Sequence, residues 1–277
     1  MIDMHTHTCY SDGRASPAEL IEAASALGLS ALAITDHDTL RGSIEAPPHA
    51  QRAGIELVPA VEITTQWGGV SHDVDILGYF VDVPDTVLNA VLQTNLAALH
   101  SRVADVCERL QRQGLSVTLE DVHRQNPLAI SYLSVIHVLL DKGYAAGFAQ
   151  ADALFREALG AQSFGVPTED AIAAVRHAGG VPVLAHPVYV RPGFPLTAVD
   201  LAPLVEAGLQ GIECWHPRLT ADDSTHYSAL ARSLGLAISG GSDEHGWPTG
   251  FPALGTQIVT EDMLEDLRGR ADPRRSL

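Results

Sequence analysis

Asp3-Met4-His5-Thr6-His7-Thr8-Cys9-Tyr10-Ser11-Asp12-Gly13 opens the chain. Ile2 to His5 reads as a strand, and alternate residues of an extended chain share one side. His5 and His7 therefore converge on one point, and the carboxylate of Asp12 follows five residues later. Two imidazoles and an acid at the end of a first strand suit a divalent cation. The next segment sets the rhythm of the fold. Ser16-Pro17-Ala18-Glu19 combines an N-cap serine, a first-turn proline and a glutamate three residues after the cap, which starts a helix. That helix runs to about Leu27, with Gly28 past its end. Ala31-Leu32-Ala33-Ile34-Thr35 is then a continuous apolar run, as in a strand covered on both faces.

Ile55 to Thr64 and Val74 to Phe80 repeat the strand theme. From Pro84 to Pro167 the pattern changes: Val87-Leu88-Val91-Leu92, Val103-Val106-Leu110 and Val135-Val138-Leu139 follow helical spacing with no strand between them. Alternation resumes with a helix over Thr168–His177, a strand over Val181–Ala185 and a helix over Leu201–Ala207. A strand over Gly211–Cys214, a helix over Asp222–Leu234 and a strand over Ala237–Ser239 complete it. This order predicts an α/β fold with a parallel sheet closed, or nearly closed, into a barrel. The barrel takes residues 1–83 and 168–277, and 84–167 form a helical insertion over its mouth.

Composition sets limits on function. Lys and Arg number 17 against 34 Asp and Glu, a formal charge of −17. That balance argues against a long nucleic-acid groove, which needs a basic stripe. Arg268 to Arg275 reads as a short solvated end. The first residues carry no basic, apolar leader, and no stretch is long and uncharged enough to span a membrane. Cys9, Cys107 and Cys214 form no CxxC pair, so they read as reduced thiols of a cytoplasmic protein.

The ionisable clusters recur at strand ends, where barrel enzymes keep their chemistry. Thr35-Asp36-His37-Asp38 follows the second strand, and Glu62 ends Leu57-Val58-Pro59-Ala60-Val61. His72 and Asp75 lie at the start of the Val74 strand. His186 ends Val181-Pro182-Val183-Leu184-Ala185, and Ser242-Asp243-Glu244-His245 follows Ala237 to Gly241. Burying so many ionisable groups without partners is costly, and shared cations reverse that cost. Mixed imidazole and carboxylate donors suit Mn, Fe or Zn, with Mg also open.

These residues resemble the PHP superfamily, named for polymerase and histidinol phosphatase. The resemblance rests on His5-Thr6-His7, Ser11-Asp12-Gly13, Thr35-Asp36-His37-Asp38, Val61-Glu62, Leu184-Ala185-His186-Pro187 and Gly241-Ser242-Asp243-Glu244-His245, and it spans essentially the whole chain. It implies a distorted (β/α)7 barrel with two or three metal ions and phosphoesterase activity. The stand-alone members with a helical insertion are the most similar in plan, among them nucleoside 3′,5′-bisphosphate phosphatases and RNA 5′-end nucleases. Carried over, His5, His7, Glu62 and Asp243 hold one ion. Glu62, His186 and Asp75 hold a second, with His72 as the other candidate at that place. Asp12, His37 and His245 hold a third, while Asp36 and Asp38 orient neighbouring ligands.

The insertion of relatives carries an Arg-x-His pair that grips phosphate. Here the matching positions are Tyr132 and Ser134. Arg191, Arg218 and His216 are the candidates for phosphate contact in its place. His186, Asp243 and His216 are the candidate catalytic residues, His216 also as acid for the leaving oxygen. The expected reaction is attack of cation-activated water on a phosphate monoester of a small substrate, such as a nucleotide or a short 5′-phosphorylated oligonucleotide. Other phosphorylated metabolites, including histidinol phosphate and sugar or cyclic phosphates, are the alternative. Amidohydrolases also place His-x-His on a first strand, but Lys142 in the insertion offers no bridging lysine at the strand ends. A metal-binding protein without turnover is the remaining reading. Oligomeric state has no signature in the sequence.

Overall fold

The computed structural model describes residues 1–68, 74–160, 164–246 and 253–272. In chain order its strands are β1 Ile2–Asp3, β2 Ala31–Ile34, β3 Glu56–Gln66, β4 Val74–Tyr79, β5 Val166–Pro167, β6 Val181–Leu184, β7 Gly211–Trp215 and β8 Ala237–Gly240. The α-helices are α1 Pro17–Ala26, α2 Arg41–Glu45, α3 Pro47–Ala53, α4 Thr86–Arg112, α5 Leu119–Gln125, α6 Tyr132–Asp141, α7 Phe148–Leu159, α8 Thr168–His177, α9 Ala198–Glu206, α10 Ala221–Ser233 and α11 Glu261–Arg270.

Seven strands follow one another around a sheet in the order β1-β2-β3-β4-β6-β7-β8, with β5 paired to β3. A parallel bridge between Thr6 and Glu244, just beyond β1 and β8, brings the two edges together. The sheet is therefore a nearly closed barrel. One strand departs from the parallel expectation: β4 is antiparallel to both β3 and β6. The stretch 67–73 between β3 and β4 is too short for the crossover that parallel neighbours require. The reversal has a consequence for the site. Asp75, near the start of β4, comes to the same mouth as the ends of the parallel strands.

Local sequence accounts for the elements. Ser16 accepts from the Glu19 backbone N–H while the Glu19 side chain returns to Ser16, closing a capping box at α1. Gly28 then leaves the helix at φ +74°. The barrel interior is filled by Met4, Ala33, Val58, Leu77, Tyr79 and Val183, all fully buried, at about 1.5–3 kcal/mol for each large side chain. Helices α4 to α7 enclose a core of their own, including Val103, Leu110, Val122, Leu139 and Phe155.

α4 serves both bodies. Leu88 and Leu92 pack with Val61 and Ile63 of β3, while Val103 to Leu110 enter the core of the insertion. Between them the fully buried Asn95 donates to Asp38 (2.6 Å) and to the Thr64 carbonyl (2.7 Å) and accepts from the Val166 N–H (2.9 Å). β5 falls inside the stretch expected to be purely helical. Arg268 and Arg270 also differ from a solvated end, while residues 273–277 of that stretch lie outside the described residues. Arg268 pairs with Glu56 and Glu265, and Arg270 pairs with Asp266 and donates to the Gly235 carbonyl, so both pin α11 to the barrel.

Candidate metal centre

The candidate ligands gather at one mouth of the barrel. Nε2 of His5 lies 3.1 Å from Oε2 of Glu62 and 3.4 Å from Oδ1 of Asp243. Nε2 of His7 lies 3.2 Å from the same two oxygens. These four atoms form a cage whose spacing suits a shared ion. Donors about 2.1 Å from a shared ion stand roughly 3.0–3.4 Å apart in octahedral or tetrahedral geometry. Neither ring nitrogen of His7 makes a hydrogen bond of good geometry although the residue is buried. Buried polar atoms aimed at one another in this way fit a divalent cation.

Two further groups share Glu62. Its Oε1 is 2.9 Å from Nε2 of His186, whose ring nitrogen is 3.8 Å from Asp75. Asp75 can also meet His37 and Glu62 at one point, while His7, Asp12, His37 and His245 form a separate four-residue group. His245 approaches Asp12 to 3.2 Å and stacks on His7 with ring centroids 4.1 Å apart. The structure thus brings together His5, His7, Asp12, His37, Glu62, Asp75, His186, Asp243 and His245. His72 lies outside the described residues.

Electrostatics follow from this crowding. Burial works against ionisation of Glu62, but His37 and His5 outweigh it and hold the carboxyl well below its ordinary range. Asp243 is held well below in the same way by His245 and His5. Burial opposes charge on His7 too, yet Asp243 and Glu62 carry it up to about 10. His186 rises to about 9, chiefly through Glu62 working against its burial. His5 and His245 are raised as well, while burial draws His37 below its ordinary value; a cation bound by these rings displaces their protons.

One important residue carries no motif. Glu213, fully buried in β7, approaches Nδ1 of His5 at 2.9 Å and accepts the His186 backbone N–H at 2.7 Å. It fixes the His5 ring with Nε2 toward the cage, as carboxylates behind metal-bound histidines do. Its only signal in the sequence is a charge inside the apolar run Gly211-Ile212-Glu213-Cys214. Asp36 behaves similarly at the first loop, accepting from the N–H and hydroxyl of Thr8 and the hydroxyl of Ser11 at 2.6–2.8 Å. It therefore shapes the turn that presents Asp12. Asp38 accepts from Thr64 N–H and Asn95, and the N-cap of α2 is Leu40.

The candidate substrate contacts scatter. His216 is buried at the end of β7, with Nε2 3.3 Å from Asp243 and Nδ1 accepting the Arg218 backbone N–H at 3.1 Å. The Arg218 side chain reaches Tyr189, whose ring lies 5.2 Å from that of His186. Arg191 instead forks onto Asp200 (2.8 and 3.2 Å), an exposed guanidinium on a half-buried carboxylate of its own loop. Ser134 is turned into the N-cap of α6, 2.9 Å from the Ser131 hydroxyl. Tyr132 lines a cavity beside Asp12, His37 and Asp75.

Comparisons with known proteins agree with this geometry. Residues 3–162 match the PHP domain. The chain is 32% identical to a 3′,5′-nucleoside bisphosphate phosphatase of Chromobacterium violaceum, over 95% of this chain and 92% of that protein. It is 29% identical to a 5′-3′ exoribonuclease of Haemophilus influenzae, over 95% and 96%. It is also 29% identical to a phosphoribosyl 1,2-cyclic phosphate 1,2-diphosphodiesterase of Eggerthella lenta, over 92% and 98%. A protein of Bifidobacterium adolescentis assigned as a metal-dependent phosphoesterase superposes with a TM-score of 0.87 at 29% identity, over 98% of this chain and 96% of the other. A sulfate-bound Chromobacterium violaceum structure described as an amidohydrolase gives 0.82 at 28%, over 97% and 96%. Barrel, strand-end ligands and full-length likeness together make the chain a member of the PHP domain family.

Proposed function

We propose that the chain hydrolyses a phosphate monoester of a small phosphorylated substrate, of the nucleotide or short 5′-phosphorylated oligonucleotide kind, using divalent cations at the barrel mouth. The observation that carries this reading is the four-atom cage of His5, His7, Glu62 and Asp243, continuous through Glu62 with His186 and Asp75. Three full-length relatives named for three different phosphate esters support the shared reaction class.

In this reading His5, His7, Glu62 and Asp243 hold one ion, and Glu62, Asp75 and His186 a second. Asp12, His37 and His245, with His7 alongside, hold a third. Mn, Fe or Zn suits such donors. When bound, such ions supply an activated water and neutralise the phosphoryl oxygens as charge develops. The rest is done by the chain's own groups. Glu213 holds His5 and the main chain of His186 in place. His216 braces Oδ2 of Asp243, leaving Oδ1 to the two histidines. Arg218, which reaches the Tyr189 that neighbours His186, is the proposed residue to fork onto phosphate oxygens. Residues 84–167 act as an insertion that walls the mouth. The three free thiols support a reducing, cytoplasmic setting.

The test is to strip the protein with chelator, reload it with Mn, Fe or Zn, and measure phosphate released from nucleoside mono- and bisphosphates, ribose 5-phosphate and a short 5′-phosphorylated oligonucleotide. Release is expected from at least one ester, and Glu62→Gln should abolish it together with most of the bound metal. A metal-loaded protein that cleaves none of them overturns the reading.

A further inference from the structure

A cavity of about 230 Å³ opens beside Asp12, His37 and Asp75, under the helical insertion. Its outer wall is formed by Leu96 and Leu99 of α4, Leu128, Ile130, Tyr132 and Phe164. The Tyr132 ring is fixed as part of that wall, with its centroid 5.0 Å from that of Phe155 and 5.7 Å from that of Phe164. The lining is therefore apolar and aromatic on the insertion side and carries metal-ligating side chains on the barrel side.

Charge decides what the cavity takes. Among the described residues that line it, Arg41 is the one Lys or Arg, and His100 is the one basic side chain besides it and the ligand candidate His37. Its guanidinium is already engaged, 4.1 Å above the Tyr10 ring and donating to the Leu128 carbonyl at 3.2 Å. Asp12 and Asp75 belong to the ligand groups, so their charge is directed to the cations. On the insertion side a second phosphate meets hydrocarbon and no unengaged guanidinium or ammonium group, with the exposed His100 as its one basic contact there, and gives up water for little in return. An uncharged ring meets the opposite conditions: hydrocarbon contact and aromatic faces to stack on, worth a factor of roughly 10 to 100 in binding. Size narrows the choice further. Pockets for drug-sized ligands run to about 300–1,000 Å³, so this one holds a single ring system and not a run of nucleotides.

We propose that the cavity seats an uncharged aromatic ring of the substrate's leaving group, so that the chain prefers singly phosphorylated nucleosides to their bisphosphates. This rests on the phosphoesterase reading and narrows it.

The Mn-loaded protein is assayed for kcat/KM on adenosine 5′-monophosphate, adenosine 3′,5′-bisphosphate and ribose 5-phosphate. The monophosphate should exceed ribose 5-phosphate by at least tenfold, and the bisphosphate should be no better than the monophosphate. Leu96→Ala and Leu128→Ala, both at partly exposed positions, should each lower the ratio of monophosphate to ribose 5-phosphate at least threefold. A bisphosphate preferred over the monophosphate, equal rates on nucleotide and sugar phosphate, or ratios unmoved by both variants overturns the proposal. Calorimetric binding of adenosine 5′-monophosphate and ribose 5-phosphate to the same protein decides independently of turnover. If no ester is cleaved the proposed function falls, while tenfold tighter binding of the nucleotide still upholds the cavity's role and equal binding rejects it.

Discussion

Replacing Glu213 with glutamine separates the orientation of ligands from ligation itself. In the native chain one carboxylate oxygen faces Nδ1 of His5 at 2.9 Å and the other accepts the main-chain N–H of His186 at 2.7 Å. Both partners are donors. The His186 group is an amide, and Nδ1 of His5 carries hydrogen whenever Nε2 is turned to a cation. Glutamine has the same shape but one oxygen and one NH2 group, so one of the two buried donors must face another donor. Stranding a buried donor costs about 1–3 kcal/mol. Exchanging a charge-assisted bond for a neutral one removes about 1 kcal/mol more.

The expected loss of stability for Glu213→Gln is thus about 2–4 kcal/mol, read as a lower midpoint in urea at unchanged slope. Metal affinity should fall 10- to 100-fold, roughly 1.4–2.7 kcal/mol, as when a carboxylate behind a histidine ligand is removed. Calorimetric titration of chelated protein with Mn measures that loss, and elemental analysis at saturating Mn should still find the ions. Glu62→Gln should differ, losing occupancy even at saturation because the cage itself is broken. If Glu213→Gln keeps both its urea midpoint and its Mn affinity within a factor of two of the native values, Glu213 does not hold the site and the reasoning fails.

Three further outcomes are expected. Asn95→Leu removes three buried hydrogen bonds joining α4, β3 and the segment at Val166, which should cost about 3–5 kcal/mol; a urea midpoint equivalent to less than about 1 kcal/mol would refute the joint. The Lys142 hydrogen bond holds the Asp121 carboxyl down to about 2, so its stabilisation is complete above the unfolded value near 3.9 and is lost as pH falls toward 2. Allowing for the part-exposed Lys142, Asp121→Asn should destabilise by about 1–2 kcal/mol at pH 6 and by little at pH 2, and equal loss at both values in melts would count against the ion pair. Chelation should lower the melting temperature and Mn should restore it, since ligand at about 100 times its Kd adds about 2.7 kcal/mol; a melt indifferent to both treatments argues against any metal centre.

Residues at strand ends were readable because two signals coincide there: an apolar run ends and an ionisable group begins. His5, His7, His37, His186 and Asp243 all carry that signature, and Glu62 shows the same run of apolar residues before it although it lies inside the long β3 and not at its end. Capping chemistry made α1 equally legible through Ser16, Pro17 and Glu19. Glu213 escaped because it lies inside its strand, where alternation assigns it to the barrel interior without naming a partner. A carboxylate in a parallel strand covered on both faces is itself the anomaly, and His5 resolves it. The direction of β4 was hidden in a connection length rather than in the strand's composition. Arg191 and Ser134 were plausible by residue type, but each satisfies itself locally, on Asp200 and on Ser131, which no spacing argument foresees. The apolar wall at Tyr132 depends on Phe155 and Phe164 arriving from distant positions, and only the folded chain brings them together.

The backbone, more than the side chains, holds the cage in shape. Asp38, His186 and Asp243 adopt φ of +54°, +23° and +55°, conformations that cost a non-glycine residue about 1–2 kcal/mol each. Each occurs where the chain leaves a strand and must swing a side chain across the mouth. Each is offset by a main-chain bond: Asp38 N–H to the Glu62 carbonyl, Asp243 N–H to the His5 carbonyl, and His186 N–H to Glu213. Phe80, at the far end of β4, shares the conformation at +56°, so strain alone does not mark the site; strain clamped by a neighbouring ligand strand does. Gly241 completes the clamp. A Cβ there would land on the backbone nitrogen and Cβ of His5, so only glycine lets the chain beyond β8 pass close enough to bring Asp243 against both histidines. The cage is thus set by strand-to-strand contacts before any ion enters, and an arrangement fixed in this way costs little reorganisation when charge develops on a bound phosphate.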